Sequence, residues 1–254
     1  MIRFVKVTKS FGRQTVLDEI SFEIQKGEIF SIVGPSGTGK SVSLKHMVRL
    51  LTPTSGEVWV GDDLVSSAAT NDLPRIRSRF GYLFQSSALL AWMTVFENVA
   101  LPLREGRHRA PDSTICDRVQ DALAKVGLED AGDKYPADLS GGMQKRAGLA
   151  RAIVTEPEIV LYDEPTSGLD PVTSRRIDDL ILDLNERLGI TSVMVTHDMH
   201  SALSISNRIA MLNAGHVALL ATPNDFVQSE VPAVRGFLDA QYITQKGSWE
   251  QHLS

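Results

Sequence analysis

The sequence has a single cysteine, Cys116, in 254 residues, so no internal disulfide can form. With only six histidines scattered along the chain, a zinc site built from thiolate and imidazole is not expected either, and a reducing cytoplasm fits. No apolar run approaches the ~18–20 residues of a membrane span. The opening, MIRFVKVTKSFG, is interrupted by Arg3, Lys6 and Lys9 and lacks the apolar segment of a signal peptide. There is no excess of base. Lys and Arg number 26 against 31 Asp and Glu, a net charge of −5, which argues against sequence-independent nucleic-acid binding, and no nucleic-acid partner is expected. Internal repeats and low-complexity tracts are missing as well. What remains is a globular composition, 43% hydrophobic and 22% charged. The expectation is a soluble, cytoplasmic protein whose membrane role, if any, comes through a partner.

Period-two alternation of Ile20, Phe22 and Ile24 with polar neighbours predicts a half-buried strand. Val58, Trp59 and Val60 lie between Gly56 and Gly61 as another. The runs 29–33, 159–162 and 192–195, apolar but for Ser31 and Ser192, read as strands covered on both faces. Leu44, Met47, Val48 and Leu51 recur at helical spacing, as do Val119, Leu123 and Val126 before Gly127, and a further helical stretch covers 142–154. Ile177, Leu180, Ile181, Leu184 and Leu188 share one helix face, with Asp170 as N-cap and Pro171 at the first position. After Pro232, Val234, Phe237 and Leu238 predict a short amphipathic helix, and the tail from Gln241 reads as polar and loose. Strand–helix–strand alternation predicts an α/β fold with a mostly parallel sheet and helices on both faces.

Three stretches carry chemistry. Gly34, Pro35, Ser36, Gly37, Thr38, Gly39, Lys40 and Ser41 match G-x-x-x-x-G-K-[ST] between a strand and a helix, the context that pattern requires. Glycines let backbone N–H groups curl around phosphate oxygens at a positive helix end. Lys40 reaches the β- and γ-phosphates, and the Ser41 hydroxyl suits Mg²⁺. The apolar strand 159–162 ends in Asp163 and Glu164, whose side chains point apart. Asp163 is the candidate for the Mg²⁺ shell and Glu164 for the base acting on water. Leu139, Ser140, Gly141, Gly142 and Met143 form a second anion-binding helix start, although taken alone Ser140 is an ordinary N-cap. Arg75, Arg77 and Arg79 read as a solvated face.

In this order the motifs resemble the nucleotide-binding subunit of an ABC transporter, over most of the chain. Phe11 matches the aromatic that stacks on adenine, Gln85 the Q-loop glutamine that also approaches the metal, and Ser140 with Gly141 and Gly142 the signature. Ser167, Gly168, Leu169 and Asp170 match the D-loop, with Asp170 placed at the nucleotide, and His197 matches the switch histidine. The resemblance implies a P-loop (RecA-like) sheet, an antiparallel β subdomain and an inserted helical subdomain at about 86–156. The cassette would span 1–228, with 229–254 as an extension carrying a short helix and a polar tail. It further implies ATP and Mg²⁺ as cofactors, Glu164, His197 and Gln85 as catalytic residues, and Ser41, Gln85 and Asp163 at the metal. Two chains would pair head to tail, each ATP lying between Lys40 of one and Ser140 of the other. The signature departs from the family at Met143, where glutamine is usual, which removes one side-chain hydrogen bond.

Residues 39–47, 83–90, 94–105 and 234–239 are similar to the ATPase of Mla/Mce-type phospholipid transporters. That implies a membrane permease, an accessory regulatory subunit and a lipid-binding Mce-domain protein as partners, and a place on the inner face of the membrane. Amino-acid importers and lipoprotein-release ATPases share the framework. A soluble ABC-type ATPase acting on DNA or ribosomes would show two cassettes or a long coiled-coil insertion, and a P-loop kinase would not need the signature. The uncharged run Ala88, Leu89, Leu90, Ala91, Trp92 and Met93 marks 86–95 either as a groove for the permease or as core.

Overall fold

A computed structural model describes residues 1–105 and 111–244. In chain order the elements begin with β1 (Ile2–Phe11), β2 (Gln14–Ile24), β3 (Ile29–Val33), α1 (Lys40–Met47), β4 (Ser55–Val60) and β5 (Asp63–Leu64). Then come α2 (Leu73–Arg77), β6 (Phe80–Leu83), α3 (Val95–Glu105), α4 (Asp112–Lys125), α5 (Gly141–Ile153), β7 (Ile159–Asp163) and α6 (Pro171–Leu188). The last elements are β8 (Thr191–Thr196), α7 (Met199–Ile205), β9 (Arg208–Asn213), β10 (His216–Ala221), α8 (Pro223–Val227) and α9 (Pro232–Asp239). The chain divides into two compact units, one of residues 1–68 with 195 onward, the other of 69–194.

The first unit holds an antiparallel sheet in the order β2-β1-β4-β5 and the strands β10-β9-β3. Pairing of β3 with β9 is parallel, and β9 with β10 forms an antiparallel hairpin that the sequence patterning did not reveal. Phe4 stacks on Phe22 at 4.5 Å between centroids, and Phe22 on Phe30 at 5.5 Å. This aromatic column packs the inward positions of β1 and β2 against β3, and each ring removes on the order of 150–250 Å² of surface from water. All five residues of β3 are buried, as its largely apolar run predicts, and the one polar side chain, Ser31, is hydrogen-bonded to Ser206. At the far end Glu28, buried, holds Arg208 through Oε1–Nε at 2.6 Å and Oε2–NH2 at 2.8 Å. α1 stops earlier than the spacing to Leu51 predicts. Arg49 turns left-handed, its N–H returns to the His46 carbonyl and that of Leu50 to Lys45, which ends the helix.

In the second unit the strand order is β8-β7-β6, with β6 and β7 parallel and Gly81 opposite Val160. A Cβ on Gly81 would stand 2.1 Å from the Ala152 carbonyl oxygen, so only glycine lets α5 lie this close to β6. Asp170 caps α6 through Val172 and Thr173 with Pro171 next, as expected, while Leu188 on its last turn is exposed. Arg79 departs from a solvated face: its guanidinium makes a two-pronged pair with Glu158 at 3.0 Å on each side. The tail reading also needs correction. Ile243 is buried, and Gln241 is hydrogen-bonded on both ends of its amide. The remainder of the expected polar tail, 245–254, lies outside the described residues.

Candidate functional site

The phosphate loop leaves β3 and enters α1 directly. Gly34 has φ 143° and a Cβ there would be 2.3 Å from the Leu212 carbonyl oxygen, so the turn out of β3 admits no side chain. Gly39, at φ 96°, starts α1 without a side-chain cap. The positive end of the helix therefore keeps its place for an anion. Lys40 is buried, and its ammonium donates to the carbonyls of Gly34 at 2.8 Å and Pro35 at 3.0 Å. Thr38 Oγ1 donates to the Pro35 carbonyl at 2.9 Å, bracing the loop from within. Pro35, Ser36 and Gly37 form the exposed crown, and Ser41 follows Lys40 on the first turn, half-buried.

The carboxylates lie at the end of β7 in the second unit, both 8% exposed. Tyr82 on β6 donates its hydroxyl to Asp163 Oδ2 at 3.4 Å. Burial first, then the Asp163 charge, pushes the Tyr82 phenol far above its ordinary range, so it stays a donor. Glu164 has φ 52°, a left-handed backbone that costs a non-glycine residue about 1–2 kcal/mol. Lys145 of α5, also buried, holds that turn: its ammonium donates to the Glu164 carbonyl at 3.1 Å and to the Gln85 carbonyl. Burial lowers the Lys145 pKa, opposed by Glu164 and Asp163. Gln85 itself is exposed just past β6. Thus one buried cation ties the backbone carbonyls of Gln85 and Glu164 to each other, while Tyr82 bonds Asp163. Sequence reasoning did not find Lys145; the available signal was a lysine on the same helical face as Gly142, Leu149 and Ala152.

Ser140 is exposed and caps α5, its Oγ accepting from Met143 N–H at 3.3 Å. That bond uses the backbone of residue 143, so the departure to methionine leaves it intact. Gly141 and Gly142 make the first turn, and Gly142 lies against Thr173. Asp170 Oδ1 accepts from Val172 and Thr173 N–H at 3.0 Å, and the Thr173 hydroxyl donates to Oδ2. These bonds, the hydroxyl's above all, hold its carboxyl below the usual range. In the first unit Phe11 closes β1, 46% exposed, with the Lys9 ammonium 4.9 Å from its ring centre. His197, exposed, follows β8, and its carbonyl accepts from Gln241.

Segment 86–95 is mixed: Ser87 and Val95 are buried, and the rest is half-buried or exposed. Arg151 donates to the carbonyls of Ser87 and Ala88, and Asn98, fully buried, bonds Leu90 through both amide atoms and also donates to the Met93 and Thr94 carbonyls. Leu89 and Leu90 are half-buried, whereas Trp92 is 73% exposed.

The ABC transporter family profile matches residues 17–167. A probable ribonucleotide transport ATP-binding protein of Mycobacterium tuberculosis is 41% identical over 246 residues, covering 96% of this chain and 68% of that protein. A methionine import ATP-binding protein of Carboxydothermus hydrogenoformans is 45% identical over 218 residues, 85% of this chain and 64% of the relative. Among solved structures, a dimeric ATP-binding cassette in a post-hydrolysis state bound to ADP and Pi superposes with a TM-score of 0.80 at 35% identity, covering 88% of this chain and 99% of the other. The cbiO1 protein of Clostridium perfringens, part of the ABC transporter complex cbiONQ, gives 0.82 at 27% identity, covering 93% and 94%. The chain belongs to the ABC transporter family, as an ATP-binding subunit. Its reaction is ATP hydrolysis coupled to transmembrane transport. No helix among the described residues is long and apolar enough to cross a membrane.

Proposed function

We propose that this chain is the motor of a phospholipid transporter of the Mla/Mce type, with residues 1–228 as cassette and 229–254 as extension. The observation that carries the substrate is the similarity of residues 39–47, 83–90, 94–105 and 234–239 to ATPases of that class. Docking to an integral-membrane permease is supported by Trp92, an exposed tryptophan on a loop pinned from two helices, since tryptophan is enriched at interface hot spots. An accessory regulatory subunit and a lipid-binding Mce-domain protein complete the proposed assembly, on the inner face of the membrane.

In this reading Phe11 stacks on adenine, and the loop 34–41 wraps the phosphates with its N–H groups while Lys40 exchanges its carbonyl partners for the β- and γ-oxygens. Glu164 accepts a proton from, and orients, the attacking water. Ser41, Gln85 and Asp163 are hard oxygen donors that suit Mg²⁺. Bound there, the ion would neutralise charge on the phosphoryl oxygens. Charge spreading onto the γ-phosphoryl in the transition state is met by Lys40, the loop donors and His197. Ser140, Gly141 and Gly142 of a second copy would close over the same phosphate, with Asp170 at the dimer seam.

A second reading, amino-acid import, is favoured by the methionine-import relative at 45% identity. The permease that co-purifies with this chain, reconstituted in liposomes, decides between them. ATP-dependent transfer of labelled phospholipid supports the proposal; hydrolysis stimulated by methionine, with no lipid movement, replaces it with the second reading.

A further inference from the structure

The end of α9 is built with care for a segment beyond the family match. Tyr242 adopts a left-handed φ of 58°, its N–H returns to the Asp239 carbonyl at 3.0 Å, and the Ile243 N–H returns to Leu238 at 3.1 Å. This is a Schellman stop, with Leu238 and Ile243 both buried as its apolar contact. The stop fixes Gln241 at the cap position, and its amide then bridges the turn after β8. Oε1 accepts from Met199 N–H at 2.9 Å, and Nε2 donates to the His197 carbonyl at 3.0 Å. Asp198, between them, accepts from His200 and Ser201 N–H at 2.9 and 3.3 Å. All of the first three N–H groups of α7 are thereby satisfied by side chains, and one of those side chains comes from the C-terminal extension.

We infer that Gln241 is a positioning residue for hydrolysis: from the C-terminal extension it clamps the backbone on both sides of Asp198 and so fixes the turn that presents His197. The inference rests on His197 acting at the γ-phosphate. Its consequence is that the extension is coupled to turnover, because any displacement of α9 removes two hydrogen bonds from that turn. Positioning of this kind sets kcat rather than ATP affinity, since the phosphate loop does not depend on it.

The test uses the full chain in complex with its co-purified permease. In Gln241→Ala, kcat should fall about tenfold, with KM for ATP moving less than about twofold and Tm falling by only a few degrees. Gln241→Glu keeps an acceptor for Met199 N–H and loses the donor to His197, so it should show the same fall with the α7 start intact. In a His197→Ala background, followed by single-turnover hydrolysis of labelled ATP, Gln241→Ala should cost nothing more. Unchanged kcat in both Gln241 variants, or an equal loss that persists without the His197 ring, overturns the inference while leaving the His197 assignment standing. Wild-type kcat in His197→Ala removes the assignment itself, and the inference with it.

Discussion

The phosphate loop of the first unit and the carboxylate turn of the second solve opposite problems. At the loop the chain uses glycine and backbone: Gly34 and Gly39 take positive φ, and no side chain caps α1. The result is a helix end left available to a ligand, with the cation Lys40 parked on carbonyls it can leave. At the turn after β7 the first left-handed position is not a glycine, although Gly168 follows further on at φ 80°. Glu164 itself is left-handed, and a buried ammonium from α5 ties its carbonyl to that of Gln85. One region is open and made to receive charge; the other is closed and made to hold one carboxylate still. In the proposed function this difference separates binding from turnover, and variants at each region should fail differently.

The largest effect is expected from Glu164→Gln. With Glu164 as the proposed base, its loss should lower kcat by ~10²–10⁴-fold, while equilibrium titration finds ATP affinity unchanged. Parallel loss of both would mean that the two regions do not divide the work. Lys40→Ala is the converse. A charge-assisted hydrogen bond is worth about 1.5–3 kcal/mol, so affinity for ATP should fall roughly 10–100-fold. Unchanged affinity in that titration would remove Lys40 from the phosphates.

Lys145→Met sharpens the comparison further. It leaves the volume of the side chain and removes its donors, so the Glu164 turn loses its tie to Gln85. Turnover should drop about tenfold with ATP affinity retained, and an unsatisfied carbonyl should cost about 1–3 kcal/mol of stability. Lys145→Arg, which keeps a cation at the turn, should recover part of the turnover; equal rates in both variants would show that the tie does not matter.

The two regions were unequally legible in the sequence. The loop could be read residue by residue, because its requirements are local: glycine where φ is positive, lysine and serine where α1 begins. Asp163 and Glu164 were legible for the same reason, as carboxylates ending an apolar strand. Lys145 and Gln241 were not. Their partners lie 60 and 44 residues away in sequence, and neither residue type nor local pattern announces a bond to a distant backbone carbonyl. Gln241 looked like the start of a polar tail because its neighbours are polar; the left-handed Tyr242 that aims it has no sequence signature. The β9–β10 hairpin was missed because its strand β10 is half-exposed without clean alternation.

The smallest effect concerns pH and falls on the first region alone. His46 on α1 is fully buried, and its Nδ1 lies 2.9 Å from the Leu51 carbonyl, which assigns the proton to Nδ1. Among the described residues Nε2 is buried with no hydrogen-bond partner, so a second proton there would be a buried, unsolvated charge. Burial accordingly lowers the pKa from 6.5, with the Leu51 carbonyl opposing and Lys9 adding to the fall. The folded chain therefore binds fewer protons than the unfolded chain. Stability is fully present above the unfolded value of 6.5 and is lost as pH falls below it, by at most about 1.4 kcal/mol per pH unit until the folded pKa is reached. Carboxylates elsewhere contribute their own acid sensitivity, so the measurement is the difference in Tm between wild type and His46→Gln across about pH 7.5 to 5.5. The neutral amide does not titrate, so the wild-type curve should lose more on acidification than the variant's. Parallel curves would mean that His46 keeps an ordinary pKa, and that the helix carrying the phosphate loop tolerates a charge in its core.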